Sequence, residues 1–161
     1  MSTHLEHIDS PLAWRASDIE ANDWIFKLTD TDIAELEMAA AKFRTVEDVE
    51  TIDECELPNL DEKMREAARR LEDERGIALI RGIPVNAYDK HGEYQELSKV
   101  FWGLALNIGF PEGQDAAGHK LHHVRNVKAA DFPGNSSVRA YETNVKIDFH
   151  SDGSDALMLV S

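Results

Sequence analysis

His150 and Asp152 are the side chains whose types and spacing best suit metal chemistry in this chain. They lie two residues apart in "DFHSDGSDALMLVS", residues 148–161. Residues i and i+2 of a β-strand point to the same face, so this spacing can offer an imidazole nitrogen and a carboxylate oxygen to one ion. A second histidine would complete the two-His-one-carboxylate triad of non-haem Fe(II) oxygenases, which leaves coordination positions open.

The His-x-Asp spacing is not specific by itself, because the chain repeats it at His7-Ile8-Asp9. The surroundings of the two copies differ. His7 is flanked by polar, turn-prone residues, whereas His150 follows the strand-like "VKIDF" and precedes the apolar run "ALMLV". A strand can hold a ligand more rigidly than a turn, so the context favours the second copy.

A second cluster contains His119, His122 and His123. These imidazoles could bind zinc, or one of them could supply the missing third ligand. The simpler hypothesis, which we prefer, is that they are surface or hydrogen-bonded histidines.

Cys55 is the only cysteine, so neither an intrachain disulfide nor a Cys-based zinc site can form. Its neighbours Glu54 and Glu56 disfavour a thiolate, and we therefore do not expect a catalytic nucleophile. The sequence contains no phosphate-binding loop, no dinucleotide fingerprint and no G-x-S-x-G motif.

Capping residues and apolar spacing predict helices in the first two thirds of the chain. Residues 1–27 look irregular, and "LTDTDIAELEMAAAKF" then predicts a helix that starts with a capping box of Thr29 and Asp32. A second helix is expected from Asn59 to a stop at Gly76, and a third from about Asp89 to "NIGFPEG". Between them, "GIALIRGIPV" predicts a short buried strand.

After residue 118 the pattern changes to short segments rich in β-branched and aromatic residues, separated by turns. These segments are "HKLHHVRNV", "SVRAYETNVKIDFH" and "ALMLV". Their spacing predicts antiparallel strands, and the order of helices before strands predicts an α+β fold.

The composition limits the partners. The chain of 161 residues carries 31 acidic and 17 basic side chains, a formal net charge of -14. Its field repels nucleic acids and anionic membrane surfaces, so we expect neither as a partner. No signal peptide or apolar stretch of about 20 residues is present, and we expect a soluble, cytoplasmic protein.

Several stretches together resemble the taurine dioxygenase-like (TauD/TfdA) family of Fe(II)- and 2-oxoglutarate-dependent oxygenases, which share the clavaminate synthase-like fold. They are "SPLAWRASDIEANDWIFKLTDTDIAEL", "RGIALIRGIPV", "YQELSKVFWGLALNIGFPEGQDAAGHKLHHVRNV" and "VRAYETNVKIDFHSDGSDALMLVS". The most specific part is Y-x-T-N-x-x-x-x-F-H-S-D, which ends on the His-x-Asp pair.

The resemblance implies an iron-dependent oxidoreductase built on a double-stranded β-helix, or jelly roll. It implies Fe(II) bound by His150 and Asp152, with 2-oxoglutarate and O2 as co-substrates and a small molecule as the substrate. Tyr141 and Asn144 are implied as residues of the substrate pocket. The family also has a distal histidine and an arginine that pairs with 2-oxoglutarate, both roughly a hundred residues beyond the His-x-Asp pair.

This chain has nine residues after Asp152, without histidine or arginine. We therefore expect residues 1–161 to form one domain, the N-terminal portion of a longer enzyme, in which 1–118 is a mainly helical flank and 119–161 starts an incomplete jelly roll. Alone it should be inactive, and it would self-associate or pair with a C-terminal half. The alternative is a non-catalytic binding or regulatory domain that retains the oxygenase scaffold.

Overall fold

The computed structural model describes residues 9–46, 51, 53, 55–88, 94–126, 146 and 148–161. The chain divides into two compact units, Met1–Pro111 with Met158–Ser161, and Glu112–Leu157. The helices and strands of the described residues all lie in the first unit. In chain order they are a 3-10 helix Ala16–Asp18, α1 Ala21–Trp24, β1 Ile25–Lys27, α2 Asp30–Ala40, α3 Asp61–Asp73, β2 Leu79–Arg81, α4 Val85–Tyr88 and α5 Gln95–Leu106.

Helix α2 begins with the predicted capping box. The Thr29 hydroxyl accepts the Asp32 N–H at 3.3 Å, and the Asp32 carboxylate accepts the Thr29 N–H at 2.7 Å. The buried Asp32 carboxylate also pairs with the Lys63 ammonium of α3, which donates to the Lys27 carbonyl oxygen of β1 at 3.0 Å. Burial alone would raise the pKa of Asp32, but the bonds from Lys63 and Thr29 outweigh it and lower the pKa.

Helix α3 is capped by a side chain from α2. Its N-cap residue, Leu60, makes no side-chain cap bond. The buried carboxylate of Glu35 instead accepts the backbone N–H groups of Asn59 and Leu60, each at 3.0 Å, and the Asn59 side-chain amide at 3.0 Å. A carboxylate at this position satisfies backbone donors and is favoured by the positive end of the helix dipole. The helix start predicted at Asn59 is thus close to the observed start at Asp61, but the capping group is the Glu35 side chain.

The two strands form a parallel pair in which Phe26 lies opposite Ile80. Phe26 is buried, and the Arg70 guanidinium of α3 lies 5.2 Å from its ring centroid. Strand β1 falls in the stretch predicted to be irregular. Strand β2 was predicted to be buried, but its residues Leu79 and Arg81 are exposed.

Helices α2 and α5 pack against each other in the hydrophobic core. Gly103 of α5 lies so close to buried Cys55 that a Cβ at Gly103 would sit 3.2 Å from the Cys55 Sγ atom. Burial raises the pKa of Cys55 to about 11. This thiol is therefore protonated at neutral pH, as expected, although burial rather than the adjacent acids is the main cause.

The predicted fold class is wrong for the residues that the structure describes. They form helices and a two-stranded parallel sheet, not antiparallel strands or the start of a jelly roll. The described parts of 119–127, 137–150 and 156–160 contain no strand. A segment with strand-like composition becomes a strand only when its backbone donors and acceptors find a ladder partner, and that pairing is not local. Within the described residues, no helix is long and apolar enough to cross a membrane.

We predict that Glu35→Ala destabilises the first unit. Two backbone N–H groups at the start of α3 lose their acceptor, and a buried donor left unsatisfied costs about 1–3 kcal/mol. Urea unfolding followed by circular dichroism measures the change. Glu72→Ala, an exposed position of α3, is the control and should change stability by less than about 0.5 kcal/mol. Equal effects of the two substitutions would contradict the capping role.

The lowered pKa of Asp32 predicts an acid-dependent loss of stability. A carboxylate with a depressed folded-state pKa stabilises the fold above its unfolded-state pKa, and this contribution disappears as the pH falls through the folded-state value. Asp32→Asn should therefore flatten the decline in melting temperature as the pH falls below about 4, the ordinary aspartate pKa. Asp30→Asn, an exposed neighbour at the start of α2, should retain the parent's decline. A parallel pH profile for Asp32→Asn and the parent would refute this explanation.

Candidate metal site

His150 and Asp152 are brought together in the second unit. The His150 Nε2 atom lies 3.5 Å from the Asp152 Oδ1 atom. The other ring nitrogen, Nδ1, lies 2.9 Å from the backbone carbonyl oxygen of Asp148. A carbonyl oxygen can only accept, so Nδ1 is the donor in this contact and Nε2 is the nitrogen that faces Asp152. This is the orientation in which a histidine with a fixed Nδ1–H binds a metal through Nε2.

The pair is accessible to solvent. The His150 and Asp152 side chains are 56% and 46% exposed, and a Cβ added at the adjacent Gly153 would meet no atom within 4 Å. An ion held by these two atoms would have room for further ligands. The same exposure means that the described residues do not form the dry cavity that strengthens electrostatic interactions in oxidative active sites.

The other predicted residues do not complete a metal site here. Among the described side chains, no group of three His, Cys, Asp or Glu residues could hold a metal ion. The hypothesis that His119, His122 or His123 supplies a third ligand therefore has no support from this conformation. Tyr141 and Asn144 lie outside the described residues.

His119 belongs to a tight turn organised by Asp115. The Asp115 carboxylate accepts the backbone N–H groups of Ala117 at 2.9 Å and His119 at 3.0 Å, and it lies 2.7 Å from the His119 Nδ1 atom. The His122 Nε2 atom is 3.6 Å from the same carboxylate. The His119 side chain is the largest cause of a lowered Asp115 pKa, and desolvation, the next largest, opposes it. With the two backbone donors added, the net effect lowers the pKa of Asp115 to about 2. The turn explains why His119 and Asp115 meet without an ion.

His123 has a different environment. Partial burial, and then the nearby Arg125 and His122, lower its pKa. The imidazole is therefore neutral at neutral pH, which suits a packed histidine as well as a metal ligand. This protonation state does not by itself favour zinc.

The first unit contains a cavity of about 460 Å³. It is lined by Asp53, Glu56, Leu57, Pro58, Asp61 and Asn107. Three of these six side chains are carboxylates and none is basic. A dianion such as 2-oxoglutarate would be repelled, so we do not assign this cavity to the co-substrate.

Sequence reasoning missed two features of the second unit. Asp115 was not singled out, although the turn residues around it and the histidine four positions later are compatible with an Asp-centred turn. The Asp148 carbonyl that orients His150 is a backbone group, and the residue types do not indicate where a backbone carbonyl points.

Comparison with known proteins finds a distant relative among named enzymes. No family model matches the chain. FR-33289 synthase of Streptomyces rubellomurinus (strain ATCC 31215) is 24% identical over 152 residues, which cover 91% of this chain and 43% of that protein. The chain thus spans less than half the length of this relative. Its similarity to a protein named as a synthase points to an enzyme family, at a level of identity that leaves the reaction open.

The Asp115 turn predicts a carboxyl group that titrates near pH 2. NMR measurement of the side-chain carboxyl resonance against pH tests this. His119→Ala should raise the midpoint, because it removes the largest cause of the lowered pKa. His150→Ala removes an imidazole that faces Asp152 instead, and should leave the Asp115 midpoint unchanged. A parent midpoint near 4, the ordinary aspartate value, would contradict the turn geometry.

Proposed function

We propose that this chain carries two iron ligands, His150 and Asp152, of an Fe(II)- and 2-oxoglutarate-dependent oxygenase that oxidises a small molecule. The observation that supports this most directly is the 3.5 Å separation of His150 Nε2 from Asp152 Oδ1, with Nδ1 tied to a carbonyl. The TauD/TfdA resemblance and the similarity to a synthase agree with it.

The two donor atoms are close enough to approach one ion. Two cis ligands of an octahedral ion, bonded at about 2.1 Å and about 90° apart, lie about 3.0 Å from each other, so the pair found at 3.5 Å would close by about 0.5 Å on binding. One imidazole and one carboxylate also form two thirds of the facial triad used by non-haem Fe(II) enzymes. The types and the proximity of the two side chains are thus compatible with iron.

When bound, Fe(II) would supply oxidation by O2 coupled to the conversion of 2-oxoglutarate to succinate and CO2. His150 would contribute an imidazole nitrogen, and the contact of its Nδ1 with the Asp148 carbonyl oxygen turns Nε2 towards Asp152. Asp152 contributes a negative charge that offsets half of the charge of a divalent ion. The open surroundings of the pair leave space for a co-substrate and for further protein groups.

The proposed site needs a third protein ligand and an anchor for 2-oxoglutarate. The distal histidine and the arginine implied by the resemblance have no counterpart after Asp152. We assign them to further sequence of a longer protein, because the chain spans 43% of the relative's length. The substrate and the outcome of the oxidation would then depend largely on residues outside this chain.

We predict that the isolated chain binds Fe(II) weakly through this pair. Anaerobic isothermal titration should show that His150→Ala and Asp152→Ala each reduce affinity about tenfold or more, since each removes one of two protein ligands. His119→Ala is the matched control, because it removes another exposed histidine of the same unit. Loss of binding in the control, with unchanged binding in His150→Ala, would move the site to the other histidines. Absence of binding in the parent would favour the non-catalytic alternative.

A second expectation concerns turnover. Incubated with Fe(II), 2-oxoglutarate and O2, the purified 161-residue chain should release no succinate above the rate of free iron, because two ligands without the arginine hold the co-substrate poorly. Succinate is measured by liquid chromatography, with Asp152→Ala as the control for free iron. Turnover that depends on Asp152 would show that the chain is complete for this step and would refute the assignment of missing groups.

A further inference from the structure

We draw no further inference here: the strongest candidate, the cluster of Asp115, His119 and His122 in the turn at the start of the second unit, carries nothing because the turn's own hydrogen bonds explain the Asp115 contacts and no three such side chains among the described residues could hold a metal ion.

Discussion

The first unit depends on a buried charge that must be satisfied. The Glu35 carboxylate lies in the interior, where an ionised group without partners would be very unfavourable. Its partners are the backbone N–H groups at the start of α3, which lie 24 and 25 residues further along the chain. The first N–H groups of α3 need acceptors, and the buried Glu35 carboxylate needs hydrogen-bond donors. One set of hydrogen bonds satisfies both. This contact ties the start of α3 to α2.

The same principle recurs along the chain and explains part of its acidity. Asp18, Asp23 and Asp32 each accept a backbone N–H from the residue three positions earlier, at 2.9, 2.8 and 2.7 Å. Asp115 performs a similar task in the second unit. These carboxylates bind backbone N–H groups at helix starts and in a turn. Part of the net charge of -14 therefore has a structural role, in addition to its effect on which partners the protein repels. A negative group at a helix N-terminus is also favoured by the dipole.

The candidate metal pair has a simpler construction. His150 is oriented by one backbone carbonyl, and Asp152 lies beside it with both side chains substantially exposed. This contrasts with the bonded and buried carboxylates of the first unit. Among the described residues, the pair lacks the enclosure that oxidative chemistry requires. The proposed oxygenase function therefore assigns the enclosure, the third ligand and the co-substrate anchor to other sequence.

The sequence alone determined the features whose partners are near in the chain. Thr29 and Asp32 sit three residues apart, so their capping box could be predicted. The apolar spacing likewise predicted a helix from about Asp89 to "NIGFPEG", and the structure has α5 at Gln95–Leu106. The His150 and Asp152 side chains are also close in the chain, and their meeting was foreseen, although a strand was expected to bring it about and the structure shows none there.

Tertiary structure decided what depends on distant partners. Strand β1 forms only because Ile25–Lys27 meets Leu79–Arg81, and the strand-like segments after residue 118 have no ladder among the described residues. The cap from Glu35 is likewise a contact between residues 25 positions apart, which the sequence does not indicate. The carbonyl that orients His150 is only two residues away, but as a backbone group it leaves no signal in the residue types. Every residue except proline carries the same backbone donor and acceptor, so residue types reveal local pairing but not which distant backbone will be the partner.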